Sequence, residues 1–297
     1  MGFNDDVRVT LLYFDLFDHP LYGEELFRFF PTKISFEHFK DMLARSDFMS
    51  SRNMFHLRNS NEIVSIRVKR EKKARTMLYA AKLVGMFIRH FPFVRAAFLS
   101  GSLSKGINPG DADVDLFIIS AEDRLWICRS FLTAFKKVFL MNSKKFLCPN
   151  YFMTEQHLEI PDKNIFTATE LATLKPLYNA AKLKNLLVAN KWVAEFYPNF
   201  EIPYDGTYKS RSTLQRLLEL PMSDGYTSKW DGNLMHYFNN VWQTRYSNVE
   251  PEKRELLFRT TPYASKIHPS DFQTRVLDAY EERLRKENLI RLIRLDN

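Results

Sequence analysis

Glycine and cysteine are both scarce in this chain, and each shortage excludes a class of protein. The 297 residues include 9 glycines, too few for a collagen-like chain or a flexible linker, and this shortage favours a helix-rich fold. Two cysteines, Cys128 and Cys148, cannot supply a four-ligand zinc site, and no CxxC pair is present. We therefore expect reduced thiols in a cytoplasmic protein.

Long apolar runs are also missing. Because no stretch of about 18 residues is free of charged side chains, the sequence predicts no membrane span. The opening residues, MGFNDDVRVT, are acidic and lack the apolar core of a secretory signal. Hydrophobic residues nevertheless make up 45% of the chain, which excludes a disordered protein. The length predicts two or three domains.

Lysine and arginine exceed the acidic residues by 43 to 35, a net charge of +8. A basic surface suits an anionic partner such as a nucleotide, a nucleic acid or an acidic metabolite. It does not choose among them, and an ordinary charged protein surface explains the excess equally well.

Residues 1–75 predict a small unit in which three helices precede a β-hairpin, the order of a winged helix. The first two apolar helical segments end at Pro20 and Pro31, and Ser35 is expected to cap the third. A polar turn at residues 50–53 separates the two short strands.

A winged helix often binds DNA through its third helix, but the charges here do not favour that function. Lys40 and Arg45 are offset by Glu37, Asp41 and Asp47, whereas a helix that enters a groove needs net positive charge. We interpret this winged-helix-like unit as a docking or substrate-covering module and keep DNA binding as an alternative.

The rest of the chain predicts two further domains, so the overall expectation is an α+β fold. Residues 76–165 read as strand, turn, strand, helix, strand, which is a small α/β domain with Cys128 in its core. Residues 166–297 predict a helical domain, with two helices broken near Pro176. The cationic segment 67–75 is either a solvated helix face or directed at a phosphate-bearing ligand.

Residues 98–120, FLSGSLSKGINPGDADVDLFIIS, contain the candidate functional residues. Because side chains alternate along a strand, Asp113 and Asp115 are predicted on one face, with Val114 and Leu116 facing the core. Two neighbouring carboxylates repel each other, and burying them unpaired is costly. A Mg²⁺ ion, which prefers one or two carboxylates plus phosphates and water, removes both problems.

The turn before these aspartates is a candidate phosphate site. It is not a P-loop, since Gly106 is not followed by Lys and Ser/Thr, and it does not match GxGxxG. Gly101 permits a positive φ and a close backbone approach, and the Ser102 hydroxyl can donate to a phosphate. Ser104 and Lys105 lie just beyond and are further candidate nucleotide-binding residues.

These residues carry a resemblance to a known family. Residues 100–102 (SGS) and 113–116 (DVDL) resemble the signature of the DNA polymerase beta-like nucleotidyltransferase superfamily. Over residues 8–200 the chain also resembles a group of uncharacterised bacterial proteins that join a winged-helix-like N-terminus to such a domain. The shared segments are LLYFDLFDHPL, IRVKREKKA, SGSLSKG, DADVDLFII, LCPNYFM, FTATELATLKPLYN and ANKW.

The resemblance implies a Mg²⁺-dependent transfer of a nucleoside monophosphate from an NTP to an acceptor hydroxyl, with release of pyrophosphate. Asp113 and Asp115 would be the catalytic metal ligands, and Gly101 and Ser102 would hold the phosphates. The acceptor stays open among a small molecule, a protein and RNA.

The third carboxylate of that family is missing from its expected place, which holds Asn150. Glu155 lies on the same predicted strand but with opposite parity, so it faces away unless a bulge intervenes. Asp111 is a loop-edge residue, and Glu159 and Glu170 are candidates from later segments. Two functions therefore remain: a nucleotidyltransferase, favoured by the intact aspartates, or a catalytically weakened nucleotide-binding regulatory module, favoured by the amide.

Overall fold

The chain forms a mixed α+β structure with a helical majority, a mixed sheet and a helical C-terminal part. The computed structural model describes residues 2–58, 62–110, 112–143, 145–202, 206–222, 226–251, 254, 257–267 and 271–289.

Three helices and a small sheet form the N-terminal part. The elements are α1 (Phe3–Asp15), β1 (Leu21–Tyr22), α2 (Gly23–Arg28), α3 (Phe36–Ala44), β2 (Ser50–Ser51) and β3 (Met54–Phe55), with strand order β1-β3-β2. The predicted hairpin is confirmed, and its turn places Arg52 and Asn53 at positive φ. The predicted cap is also confirmed, since the Ser35 hydroxyl accepts a hydrogen bond from the His38 amide.

Helix α4 (Glu62–Ile88) is a single helix of 27 residues that runs straight through the expected boundary at residue 75. Arg67, from its cationic start, is buried at 2% exposure rather than directed at a ligand. Its guanidinium donates to Glu25 at 2.8 and 2.9 Å and to Glu71 at 2.8 Å, and it lies over the Tyr22 ring at 4.5 Å. This cluster joins α4 to the N-terminal elements.

The central sheet has six strands in the order β7-β4-β5-β6-β9-β8. Strand β5 pairs in parallel with β6, and the other described pairings are antiparallel. The strands are β4 (Val94–Leu99), β5 (Asp115–Ser120), β6 (Cys148–Thr154), β7 (Lys175–Tyr178), β8 (Phe258–Thr260) and β9 (Ala264–Ile267).

Strands β7, β8 and β9 come from the part of the chain that was expected to be helical. The expected helix break near Pro176 is a strand, and Pro176 fits there because β7 is an edge strand, where one side needs no backbone donor. Strands of three or four residues are too short to show a clear alternation in the sequence.

The remaining helices cover the two faces of the sheet. Ile118 and Phe152 face a core with Trp126 and Trp242, whereas Phe117 faces a second core that includes α1 and the last described helix. The helices are α5 (Gly101–Ser104), α6 (Leu125–Phe139), α7 (Ile165–Thr173), α8 (Ala181–Ala189), α9 (Val193–Phe196), α10 (Thr213–Glu219), α11 (Tyr226–Arg245) and α12 (Phe272–Lys286), with a 3₁₀ turn at Leu220–Met222.

Two expectations from composition can be compared with this fold. Cys128 and Cys148 are both buried and form no disulfide, as expected for reduced thiols. Among the described residues, no helix combines the length and the hydropathy that crossing a bilayer requires.

Arg67 gives a prediction about stability. Replacing it with alanine leaves Glu25 and Glu71 without their cation in a partly buried place, so Arg67→Ala should lower the free energy of unfolding by about 3 kcal/mol. Lys69→Ala, on an exposed position of the same helix, should change it by less than about 0.5 kcal/mol. Urea unfolding monitored by circular dichroism measures both changes. An unfolding midpoint of Arg67→Ala equal to that of the wild type would contradict the structural role of Arg67.

Candidate functional site

The two aspartates meet at the start of β5. Asp115 is the first residue of that strand, and Val114 and Leu116 on its other face are fully buried in the core. One ligand oxygen from Asp113, one from Asp115 and the Cys148 sulfur all lie within 4.8 Å of one another. The two aspartates lie together, but Asp113 precedes β5, which begins at Asp115, so the structure does not show both of them on the strand as predicted.

Glycine at position 101 is favoured by its contact with Asp115. Its φ is +69°, and a Cβ built on it would lie 2.4 Å from the Asp115 Oδ2 atom. A side chain here would require the Asp115 carboxylate to shift, and the positive φ is strained for other residues. The turn after β4 and the start of β5 are thus packed directly against each other.

An ion pair occupies the predicted phosphate turn. The Gly101 amide donates to Glu170 Oε2 at 3.2 Å, and Lys105 Nζ donates to Glu170 Oε1 at 2.6 Å. Glu170 comes from α7, so a residue far along the chain reaches the turn. The Ser104 hydroxyl is buried and donates back to the Gly101 carbonyl at 2.8 Å, so it stabilises the turn.

Asn150 reaches the aspartates through a β-bulge. Leu116 pairs with Pro149 and Phe117 with Tyr151, which leaves Asn150 as the extra residue in β6. Its Nδ2 donates to Asp115 Oδ1 at 2.6 Å, and its Oδ1 accepts from the Cys148 thiol at 3.2 Å. The third position is therefore filled by a neutral amide that neighbours Asp115.

Two further carboxylates that the sequence offered, Glu155 and Glu159, lie away from this cluster. Glu155 lies beyond the far end of β6, where Lys182 donates to it at 2.9 Å. Glu159 is exposed and pairs with Lys163 at 2.7 Å. Asp111 lies outside the described residues. Of the late candidates, Glu170 alone contacts the turn.

A cavity of about 410 Å³ opens on the same face of the sheet. Gly101, Ser102, Lys105, Asp115, Asn150 and Glu170 line its polar side. Much of the remaining wall is aromatic and comes from α1 and the turn after it, the sheet, α7 and α12: Tyr13, Phe14, Phe17, Phe117, Tyr151, Phe166 and Phe272. Sequence patterns did not single out these residues, because nothing local shows that three distant helices enclose one space.

The charge of Asp115 is disfavoured by its surroundings. Burial raises the pKa of its carboxyl group to about 6. The hydrogen bond from Asn150 opposes that rise, while the negative charges of Asp113 and Glu170 add to it. A cation at these carboxylates would reverse the effect, because it favours the ionised form.

Comparison with family models, with curated proteins and with solved structures finds no match for this chain. The chemistry must therefore be inferred from the donors themselves. Asp113 and Asp115 are hard oxygen donors of the number that Mg²⁺ takes from proteins, whereas the Cys148 sulfur is a soft donor that suits other metals. The structure thus places a group of side chains that could hold a metal ion next to the Gly101 turn.

The Gly101 contact predicts a large effect from a small substitution. Gly101→Ala should lower the free energy of unfolding by at least about 2 kcal/mol, because the new methyl group meets Asp115 at a strained φ. Gly232→Ala is the matched control: no atom lies within 4 Å of its added Cβ, and it sits inside α11. It should stabilise the protein by about 0.5 to 1 kcal/mol. Thermal unfolding of the two variants measures these changes. A melting temperature of Gly101→Ala equal to that of the wild type would contradict the contact.

The raised pKa predicts that Asp115 destabilises the metal-free protein at neutral and alkaline pH. A carboxyl whose folded pKa lies above its ordinary 3.8 favours folding in its neutral form, and this benefit disappears as the pH rises through about 6. Asp115→Asn should therefore be more stable than the wild type at about pH 8, by up to roughly 3 kcal/mol. The difference should shrink towards about pH 4.

Thermal melts in the presence of a chelator measure this difference. Asp278→Asn, which removes an exposed carboxylate of α12, serves as the control and should show no such pH dependence. A constant difference between wild type and Asp115→Asn across the pH range would contradict the raised pKa.

Proposed function

We propose that this chain is a Mg²⁺-dependent nucleotidyltransferase that moves a nucleoside monophosphate from an NTP to an acceptor hydroxyl. The observation that carries the proposal is that Asp115, which has Asp113 beside it, contacts the Gly101 turn at the wall of one cavity. A paired carboxylate site beside a phosphate-binding turn is what NTP chemistry needs.

Asp113 and Asp115 are the residues that would hold the metal. Bound there, Mg²⁺ would supply charge stabilisation to phosphoryl oxygens and lower the pKa of an acceptor hydroxyl. Asn150 keeps Asp115 oriented through the 2.6 Å hydrogen bond from its amide. The Cys148 thiol donates a hydrogen bond to Asn150, so the proposal does not use it as a metal ligand.

The phosphates of the nucleotide would bind at the turn. The Gly101 amide and the Ser102 hydroxyl are donors at the cavity wall, and Lys105 supplies a positive charge. Amides and cations of this kind neutralise phosphate oxygens. A cavity of about 410 Å³ lies in the range of small-ligand sites.

We assign the three parts of the chain accordingly. Residues 76–165 would form the nucleotidyltransferase domain, and residues 166–297 would complete the acceptor side. Residues 1–75 would be the winged-helix-like unit, acting as a substrate cover because α1 contributes Tyr13 and Phe14 to the cavity wall and the turn after it contributes Phe17. Lys40 pairs with Glu37 at 2.8 Å, which further weakens the DNA-binding alternative.

A nucleotide-binding regulatory module is the second candidate, and Asn150 favours it. The amide next to Asp115 is neutral and cannot act as a base, so the carboxylate cluster lacks the third member expected of the family. In that case the NTP would bind at the turn and remain unreacted.

Incubation of the pure protein with Mg²⁺ and labelled NTPs distinguishes the two candidates. The enzyme should release pyrophosphate or label itself or an acceptor, and the Asp113→Ala, Asp115→Ala double variant should lose at least about a hundredfold of that activity. Glu155→Gln should retain it, because Glu155 pairs with Lys182 away from the cavity.

Thermal stabilisation by NTP, without turnover on a broad panel of acceptors, would support the binding module. If NTP neither reacts nor stabilises the protein, both candidates are wrong.

A further inference from the structure

The carboxylate of Glu170 lies where an anionic ligand is expected. It accepts from the Gly101 amide at 3.2 Å and from the Lys105 ammonium at 2.6 Å, the two donors that the proposed function assigns to phosphate. A carboxylate and a phosphate use such donors in the same way, through charge-assisted hydrogen bonds. The phosphate site is therefore already satisfied by an anion of the protein.

The wall of the cavity has a further polar group that Glu170 does not use. His19 lines the cavity at 3% exposure, and within the described part of the chain its Nδ1 atom has no hydrogen-bond partner. Burial, together with the positive charges of Arg67 and Lys105, lowers the pKa of His19 well below its ordinary value. A buried polar atom without a partner is costly, and a ligand in the cavity could satisfy it.

We propose that Glu170 is an internal competitor for anionic ligands at the phosphate site, because a ligand must displace its carboxylate from Gly101 and Lys105 in order to bind. This inference rests on the phosphate site of the proposed function. It concerns how tightly anions bind at that site, and it assigns Glu170 a role that the sequence patterns did not predict.

The weaker binding follows from an exchange of partners. An anion that replaces Glu170 gains only the contacts that the carboxylate gives up, so its net gain is small. A polyphosphate has additional oxygens for other polar groups of the wall, such as Ser102 and His19. The competitor lowers the affinity for each anion by a similar factor, and removing it should raise each affinity.

Glu170→Gln tests the proposal, with inorganic pyrophosphate and orthophosphate as probes in calorimetry without metal. The glutamine can still accept from the Gly101 amide but no longer neutralises Lys105. The variant should bind pyrophosphate about tenfold more tightly than the wild type, and its orthophosphate affinity should rise by a similar factor. Glu170→Asp keeps the charge on a shorter side chain. Its affinity for pyrophosphate should lie between those of the wild type and Glu170→Gln. Glu159→Gln, which removes an exposed glutamate paired with Lys163, should match the wild type.

The results separate this inference from the proposed function when the labelled-NTP assay is run on the same proteins. Unchanged or weaker pyrophosphate binding in both Glu170 variants would overturn the inference, and turnover by the wild type would then leave the nucleotidyltransferase assignment intact. Tighter binding in Glu170→Gln with no turnover by the wild type would support the competitor role in a binding module. Loss of turnover in Glu170→Gln at unchanged affinity would assign the carboxylate to the chemistry instead and overturn the inference.

Discussion

The close approach of Asp115 to Gly101 is the constraint on which the site depends. Because a Cβ at Gly101 would lie 2.4 Å from Asp115 Oδ2, the turn after β4 and the start of β5 can be packed this tightly only with glycine at that position. The Ser100 amide also donates to the Asp115 carbonyl at 2.9 Å, so backbone and side chain are held together. The contact places the acidic residues and the Gly101 turn at one point.

The protein bears an electrostatic cost at that point. Asp113, Asp115 and Glu170 gather negative charge around a partly buried site, and Lys105 pairs with Glu170. Asn150 limits the cost, since a neutral amide donates to Asp115 where a third carboxylate would repel it. The amide at position 150 therefore suits the metal-free fold.

Sequence patterns predicted the local features and missed those that depend on distant contacts. The strands of residues 94–120 and the cap at Ser35 follow from alternation and capping rules. The contact of Glu170 with Gly101 joins residues 69 positions apart, and no local pattern encodes it. The short strands β8 and β9 gain their stability from pairing rather than from their own sequence, since β9 pairs with β6 and β8 pairs with β9. Periodicity could therefore not reveal them.

The N-terminal helices are part of the same core as the sheet, and this bears on what they do. Tyr13 packs edge-on against Tyr280 at 5.2 Å, and the Tyr280 hydroxyl donates to the Val9 carbonyl at 3.1 Å. Phe29 packs similarly against Tyr197 at 5.1 Å. Moving α1 away from the cavity would expose these rings to water, which costs more than a single ligand contact returns. A fixed wall of the cavity therefore agrees better with the packing than a unit that moves away from the sheet.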